Sequence, residues 1–84
     1  MTKEEISNIL RKFSKPTLTA FRFSIKNRND IKGYFVDAGD HLHLNSKNYW
    51  YIVKFDKKDE WQQTHNLDLL WLFKGDSFSK IQAI

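Results

Sequence analysis

Residues 67–78 read Leu-Asp-Leu-Leu-Trp-Leu-Phe-Lys-Gly-Asp-Ser-Phe, and this stretch decides how the chain folds. An apolar run ends in the charged turn 74–76, and a second, less regular run over 78–84 follows at once. Two short runs around a Gly-containing turn predict two strands. Their apolar surface is larger than a small domain normally exposes at an edge. We therefore expect it to be core or to be covered by another chain.

The first of these runs is compatible with two kinds of element. The spacing of Leu67, Leu70 and Trp71 suits a helix as well as a strand. We favour a strand over 67–73, because the run is short, rich in large apolar side chains and ended by Gly75.

The segments before this stretch alternate apolar and polar residues, which is typical of half-buried strands. Gly33 lies inside one of them and predicts a bend, as small barrels require. The intervening segments 27–30, 38–40, 45–48 and 56–60 are turns or loops on composition, and 61–66 is left unassigned. The predicted strands cover residues 21–26, 31–36, 41–44 and 49–55.

A short amphipathic helix is predicted at the N-terminus, over about residues 3–14. Thr2 and Glu5 have the spacing of a capping box. Four apolar side chains then form one stripe that must dock on the rest of the domain, and Pro16 ends the helix. The stripe consists of Ile6, Ile9, Leu10 and Phe13.

Composition places the 84 residues in one domain, 1–84, with a barrel over about 17–84. The net charge is +4, and residues 1–32 hold eight Lys or Arg against three Asp or Glu, a balance of +5. A concentrated basic surface suits a polyanion such as nucleic acid. The chain has no Cys and no apolar run of membrane-spanning length. We expect a cytoplasmic protein with no membrane partner.

The fold class is therefore mainly β: an N-terminal α-helix, then a small, strongly bent antiparallel barrel of about five strands. In the order and spacing of these elements, the chain resembles the Sm-like (LSm and Hfq) family. The first family motif is matched by Phe21–Lys26, Ile31–Val36 and Asp40–Asn45, and the second by Leu70–Ile81, with Lys74 in place of the usual Arg. Residues 45–66 are longer than a simple variable loop. Tyr49–Phe55 is either the third strand of that family or an insertion.

The resemblance implies a homo-oligomeric ring in which the fourth strand of one subunit pairs with the fifth strand of the next. Such a heterologous contact closes into a ring when its rotation allows. The interface residues implied in this way are Leu69, Trp71, Phe73, Phe78 and Ile81. Burial of these aromatic side chains in the barrel of their own subunit is the alternative.

The resemblance also implies that single-stranded, often U-rich, RNA binds at the pore of the ring. Unpaired bases stack on side chains and are recognised at their edges in such sites. A lysine neutralises phosphate but does not stack as a guanidinium does, so weaker or less base-specific binding is expected. The residues carried over to the RNA site are Asp40, His41, Leu42, His43, Asn45, Lys74, Gly75 and Asp76.

Other functions have less support in the sequence. The pair His41 and His43, with Asp40 and His65, is more typical of surface side chains than of a metal site, so no metal and no cofactor are expected. No nucleophile or phosphate-binding glycine motif is present, and we expect no enzymatic activity. A small ribonuclease is the least favoured alternative. The main alternative to the RNA-binding ring is an SH3-like barrel that acts as a protein-interaction or assembly module.

Overall fold

The computed structural model describes all residues, 1–84, as three short helices and one sheet of five antiparallel strands. The N-terminal helix and the five-stranded antiparallel sheet predicted from the sequence are confirmed. The prediction of a mainly β chain is wrong, because the helices and 3₁₀ turns together hold more residues than the strands. In chain order the elements are α1 (Lys3–Leu10), β1 (Phe21–Ile25), β2 (Ile31–Phe35), α2 (His41–Ser46), β3 (Tyr49–Lys54), α3 (Lys58–Thr64), β4 (Leu70–Lys74) and β5 (Phe78–Ala83). Single 3₁₀ turns lie at Pro16–Leu18, Phe55–Lys57, Leu67–Leu69 and Gly75–Ser77.

Helix α1 begins with the predicted capping box. The Thr2 hydroxyl accepts the Glu5 N–H, and the Glu5 carboxylate accepts the Thr2 N–H at 2.8 Å. Its apolar stripe packs on the core, with Ile6 fully buried. The predicted end near residue 14 is wrong, because the helix ends at Leu10. The N–H groups of Lys12 and Phe13 bond three residues back, which is the tighter winding of a final 3₁₀ turn.

The sheet has the strand order β4-β3-β2-β1-β5 and is strongly curled. Strands β4 and β5 lie at opposite edges, although only the turn Gly75–Ser77 separates them in the chain. Three residues bridge a sheet of five strands only if its two edges approach at that corner. The ring centroids of Phe73 on β4 and Phe78 on β5 are 5.6 Å apart, so the two edges meet there.

The inner face of the curled sheet holds the main core. Alternate residues of β1 point inward, and Phe21 and Phe23 are fully buried. Their rings meet Phe35 and Phe78 at centroid distances of 5.2–5.5 Å. Tilted and edge-to-face contacts of this kind stabilise an aromatic core beyond simple burial. The high phenylalanine content is thus explained by a core that α1 closes.

The prediction of a strand over 41–44 is wrong, because His41–Ser46 is helix α2. The alternation of His and Leu there does not reflect two faces of a sheet, since Leu42 is 76% exposed. The N–H of Leu44 bonds to the carbonyl of Asp40, which closes the first turn of this helix.

The Tyr49–Lys54 segment is the third strand of the sheet and lies between β2 and β4. Phe55, predicted as its last residue, begins a 3₁₀ turn instead. The predicted strand over 67–73 is correct only from Leu70, since Leu67–Leu69 is another 3₁₀ turn. The Asn66 side chain caps this turn by accepting the Asp68 N–H.

Helix α3 covers the outer face of β2 and β3, where a loop and an unassigned segment were predicted. Trp61 is its one buried residue and forms a second small core with Val36 and Val53. Lys58 fixes the start of the helix, because its ammonium group donates to the Thr17 carbonyl at 3.0 Å. Burial lowers the pKa of Lys58. None of the helices has the length and apolar character needed to cross a membrane.

Candidate nucleic-acid interface

The turn that joins β4 to β5 is held by the start of β3. The backbone N–H of Gly75 donates to the carbonyl of Asn48 at 2.7 Å. The amino group of Met1 donates to the carbonyls of Gly75 and Phe78, each at 2.8 Å. Three separate parts of the chain therefore meet at this corner, and the backbone of the turn has a fixed position.

Asn48 is the central side chain of this corner. Its Oδ1 accepts the Trp50 indole N–H at 2.8 Å, and its Nδ2 donates to the Met1 carbonyl at 3.0 Å. A longer contact of 3.5 Å links Nδ2 to Asp76. The backbone of Asn48 is left-handed, with a φ of 66°, a conformation that Asn tolerates better than most residues. We name Asn48, Lys74, Gly75 and Asp76 the corner site.

Sequence reasoning missed Asn48 and selected Asn45 instead. The amide of Asn45 donates to the carbonyls of Tyr49 and His41, at 2.8 and 3.2 Å, once it is oriented to satisfy both groups. Its hydrogen-bonding capacity is therefore used in joining α2 to β3. The signal that identifies Asn48 is the strand register: Tyr49 is paired with Lys74, so the residue before Tyr49 must face Gly75.

The two charged side chains of the corner site remain available to a ligand. Lys74 Nζ lies 3.6 Å from Asp76 Oδ2, and the two side chains are 55% and 65% exposed. An ion pair in water contributes little to stability and is readily exchanged. The ammonium group of Lys74 is thus free to meet a phosphate, while Asp76 limits the net positive charge of the corner.

The other predicted RNA-binding residues lie on α2 or immediately before it. Asp40 is exposed at the N-terminal end of the helix and makes no capping bond. Leu42 and His43 are exposed, whereas His41 is partly buried with Nε2 3.9 Å from Asp37. No side-chain hydrogen bond or ion pair joins residues 40–46 to the turn 74–76. Lys74, Gly75 and Asp76 therefore lie beside Asn48. The predicted residues on α2 are not joined to that turn by any polar side-chain contact.

The predicted interface residues divide into buried and exposed ones. Phe73, Phe78 and Ile81 are in the core of their own chain, and Leu69 is half-buried against the Trp61 cluster. Trp71 is 41% exposed, and Lys54 Nζ lies 4.3 Å from the centre of its ring. The adjacent Leu72, which was not predicted, is 48% exposed. The large apolar side chains that β4 exposes are therefore Trp71 and Leu72.

Comparisons with protein-family models, with curated proteins and with solved structures gave no match to this chain.

Proposed function

We propose that this protein forms an Sm-like ring that binds single-stranded RNA through the corner site. The observation that carries the proposal is the strand order, which leaves β4 and β5 as the two free edges and joins them by the Lys74-Gly75-Asp76 turn. This is the arrangement expected from the resemblance to Sm-like proteins. One continuous segment, β4, the turn and β5, would then supply both contacts between subunits and the contact with RNA.

The two free edges support the assembly part of the proposal. Strand β4 pairs only with β3, and β5 pairs only with β1, so each presents unpaired backbone groups. Exposed edges promote pairing with another chain, and the exposed Trp71 and Leu72 increase that tendency. Pairing of β4 with β5 of the next copy would cover both edges at once. Because the two surfaces differ, the contact is heterologous, and it gives a ring when its rotation closes.

The corner site supports the RNA-binding part. Its backbone is fixed by bonds to Asn48, so Lys74 projects from a rigid turn. A ring would repeat this cation once per subunit around its axis, and repeated cations bind a phosphate backbone more strongly than one. The amide of Asn48 has the donors and acceptor needed to recognise a base edge, although its present partners would have to be exchanged.

The test is fluorescence anisotropy with labelled oligouridine, at low and at moderate salt. Binding should weaken as salt rises, because phosphate contacts release counterions. Lys74→Gln should weaken binding severalfold. Lys12→Gln, which removes an exposed cation near the end of α1, should not. An equal effect of the two substitutions would contradict a role for the corner site.

Light scattering on the same samples separates this proposal from its alternative. A ring with no detectable affinity for oligouridine at low salt would identify an assembly module without a nucleic-acid ligand. A protein that stays monomeric at micromolar concentration would remove the ring from the proposal.

A further inference from the structure

The outer face of the sheet carries a row of polar and basic side chains that the corner site does not include. Arg22 on β1 lies directly opposite Lys32 on β2 and, on its other side, opposite Gln82 on β5. All three side chains are exposed. The strand register therefore places two cations next to each other, about 5 Å apart at their backbones.

This pair of cations has no partner in the chain. The three ion pairs of the structure involve neither Arg22 nor Lys32. Asp30 lies two residues before Lys32 but makes no ion pair with it. Like charges directly opposite each other on neighbouring strands destabilise a sheet. A sheet that keeps such a pair is stabilised when an anion binds between the two side chains.

An exposed aromatic ring extends the same row. The β2–β3 ladder ends at the pair of Gly33 with Lys54, and Lys32 and Phe55 are the next residues of the two chain segments at that end of the ladder. The Phe55 ring is 53% exposed and stacks on Tyr34, with centroids 5.8 Å apart and planes at 10°. Lys58 lies 4.3 Å from the centre of the Tyr34 ring. The ring of Phe55 is thus supported from within the protein and open towards solvent.

We propose that the row Gln82, Arg22, Lys32 and Phe55 is a second binding surface for single-stranded nucleic acid, with phosphates at the two cations and a base stacked on Phe55. Phosphate contacts from a basic groove and base stacking on an aromatic ring are the two interactions that bind single strands with little sequence preference. The exposed Phe55 ring favours a nucleic acid over other polyanions, because only a nucleic acid has bases that can stack on the ring. The surface does not depend on the corner site or on ring formation.

The first experiment compares two double variants with the same change in charge. Arg22→Gln with Lys32→Gln removes the row, and Arg11→Gln with Lys12→Gln removes one Arg and one Lys from the end of α1. For labelled oligouridine, the row variant should flatten the plot of log K against log salt by about 1.4, since each phosphate contact contributes about 0.7. The control variant should keep the original slope. The row variant should also melt at the same or a higher temperature, because a repulsive pair is removed.

The second experiment tests the aromatic ring. Phe55→Leu should weaken oligouridine binding about fivefold or more, and Phe55→Trp should restore it. Binding of inorganic polyphosphate should be unaffected by Phe55→Leu but reduced in the row variant. Making the same changes in a Lys74→Gln background separates this surface from the corner site, because their effects should add. Equal slopes for the two double variants, or no effect of Phe55→Leu on oligouridine, would overturn the proposal.

Discussion

The side-chain amide of Asn48 occupies the space that a side chain at position 75 would need. A Cβ atom built there would overlap the amide of Asn48, and the Gly75 N–H donates to the carbonyl of the same residue. The glycine is required by the close approach of β3 to the turn. The contact of Asn48 with Gly75 thus holds the turn between β4 and β5 against the start of β3.

Gly75→Ala should therefore destabilise the protein by about 1–3 kcal/mol, because overpacking forces the turn or Asn48 to move. Chemical denaturation monitored by tryptophan fluorescence measures this change. In an Asn48→Gly background the same substitution should cost less, since the overlapping amide is absent and Gly tolerates the left-handed backbone. Additive effects of the two substitutions would show that the overlap does not limit position 75.

Gly33 should respond to substitution differently from Gly39. A Cβ at Gly33 would overlap the backbone carbonyl of Val53, whereas Gly39 has open space and a φ of +53°. Gly33→Asn should thus destabilise the β2–β3 pairing strongly, by about 3 kcal/mol or more. Gly39→Asn should cost less than Gly39→Ala, because Asn tolerates the left-handed region. Thermal melts of the variants test this. A smaller loss of stability for Gly33→Asn than for Gly39→Asn, or a larger loss for Gly39→Asn than for Gly39→Ala, would contradict it.

The capping box of α1 should give a pH-dependent stability. The pKa of Glu5 is lowered, mainly because its carboxylate accepts the Thr2 N–H. A lowered folded-state pKa stabilises the fold above the ordinary pKa of the group, and this stabilisation is lost as pH falls through the folded value. Glu5→Ala should lower the melting temperature at neutral pH and have less effect in acid.

Glu4→Ala is the matched control, because Glu4 lies in the same first turn but makes no capping bond. Its effect should be smaller at neutral pH. Equal losses for the two variants at every pH would mean that the helix dipole, and not the capping box, determines the effect.

The exposed edge of β4 is tested by adding charge to it. Leu72→Lys should prevent assembly while leaving the fold intact, since charged edge residues block strand pairing. Leu42→Lys places the same charge on α2, at a side chain that is 76% exposed, and should leave assembly unchanged. Sedimentation velocity gives the oligomeric state of each variant. Assembly by the Leu72 variant would place the interface elsewhere.

Local patterns predicted the parts of the fold that bury one continuous face. The alternation of Phe21, Arg22 and Phe23 predicted β1, and the stripe from Ile6 predicted α1. Helix α3 was missed because only Trp61 of its seven residues is buried. Its sequence therefore shows no helical repeat of apolar residues. Helix α2 was missed because it has only six residues and none is fully buried.

Only the part of the corner site that is contiguous in sequence was predicted as a local structure. Lys74, Gly75 and Asp76 form one turn, and composition identified it. The partner of that turn depends on the register between β3 and β4, which pairs Tyr49 with Lys74. Because a local pattern does not determine which strands are neighbours, Asn48 became visible only in the folded chain. The pairing of Arg22 with Lys32 depends on register in the same way.

Native mass spectrometry of the purified protein tests the central proposal, a ring closed by pairing of β4 with β5, most directly. A ring should give a single closed species at an integer multiple of the subunit mass, absent in the Leu72→Lys variant and present in the Leu42→Lys variant. A monomer at micromolar concentration, or an oligomer that Leu72→Lys leaves intact, would contradict it.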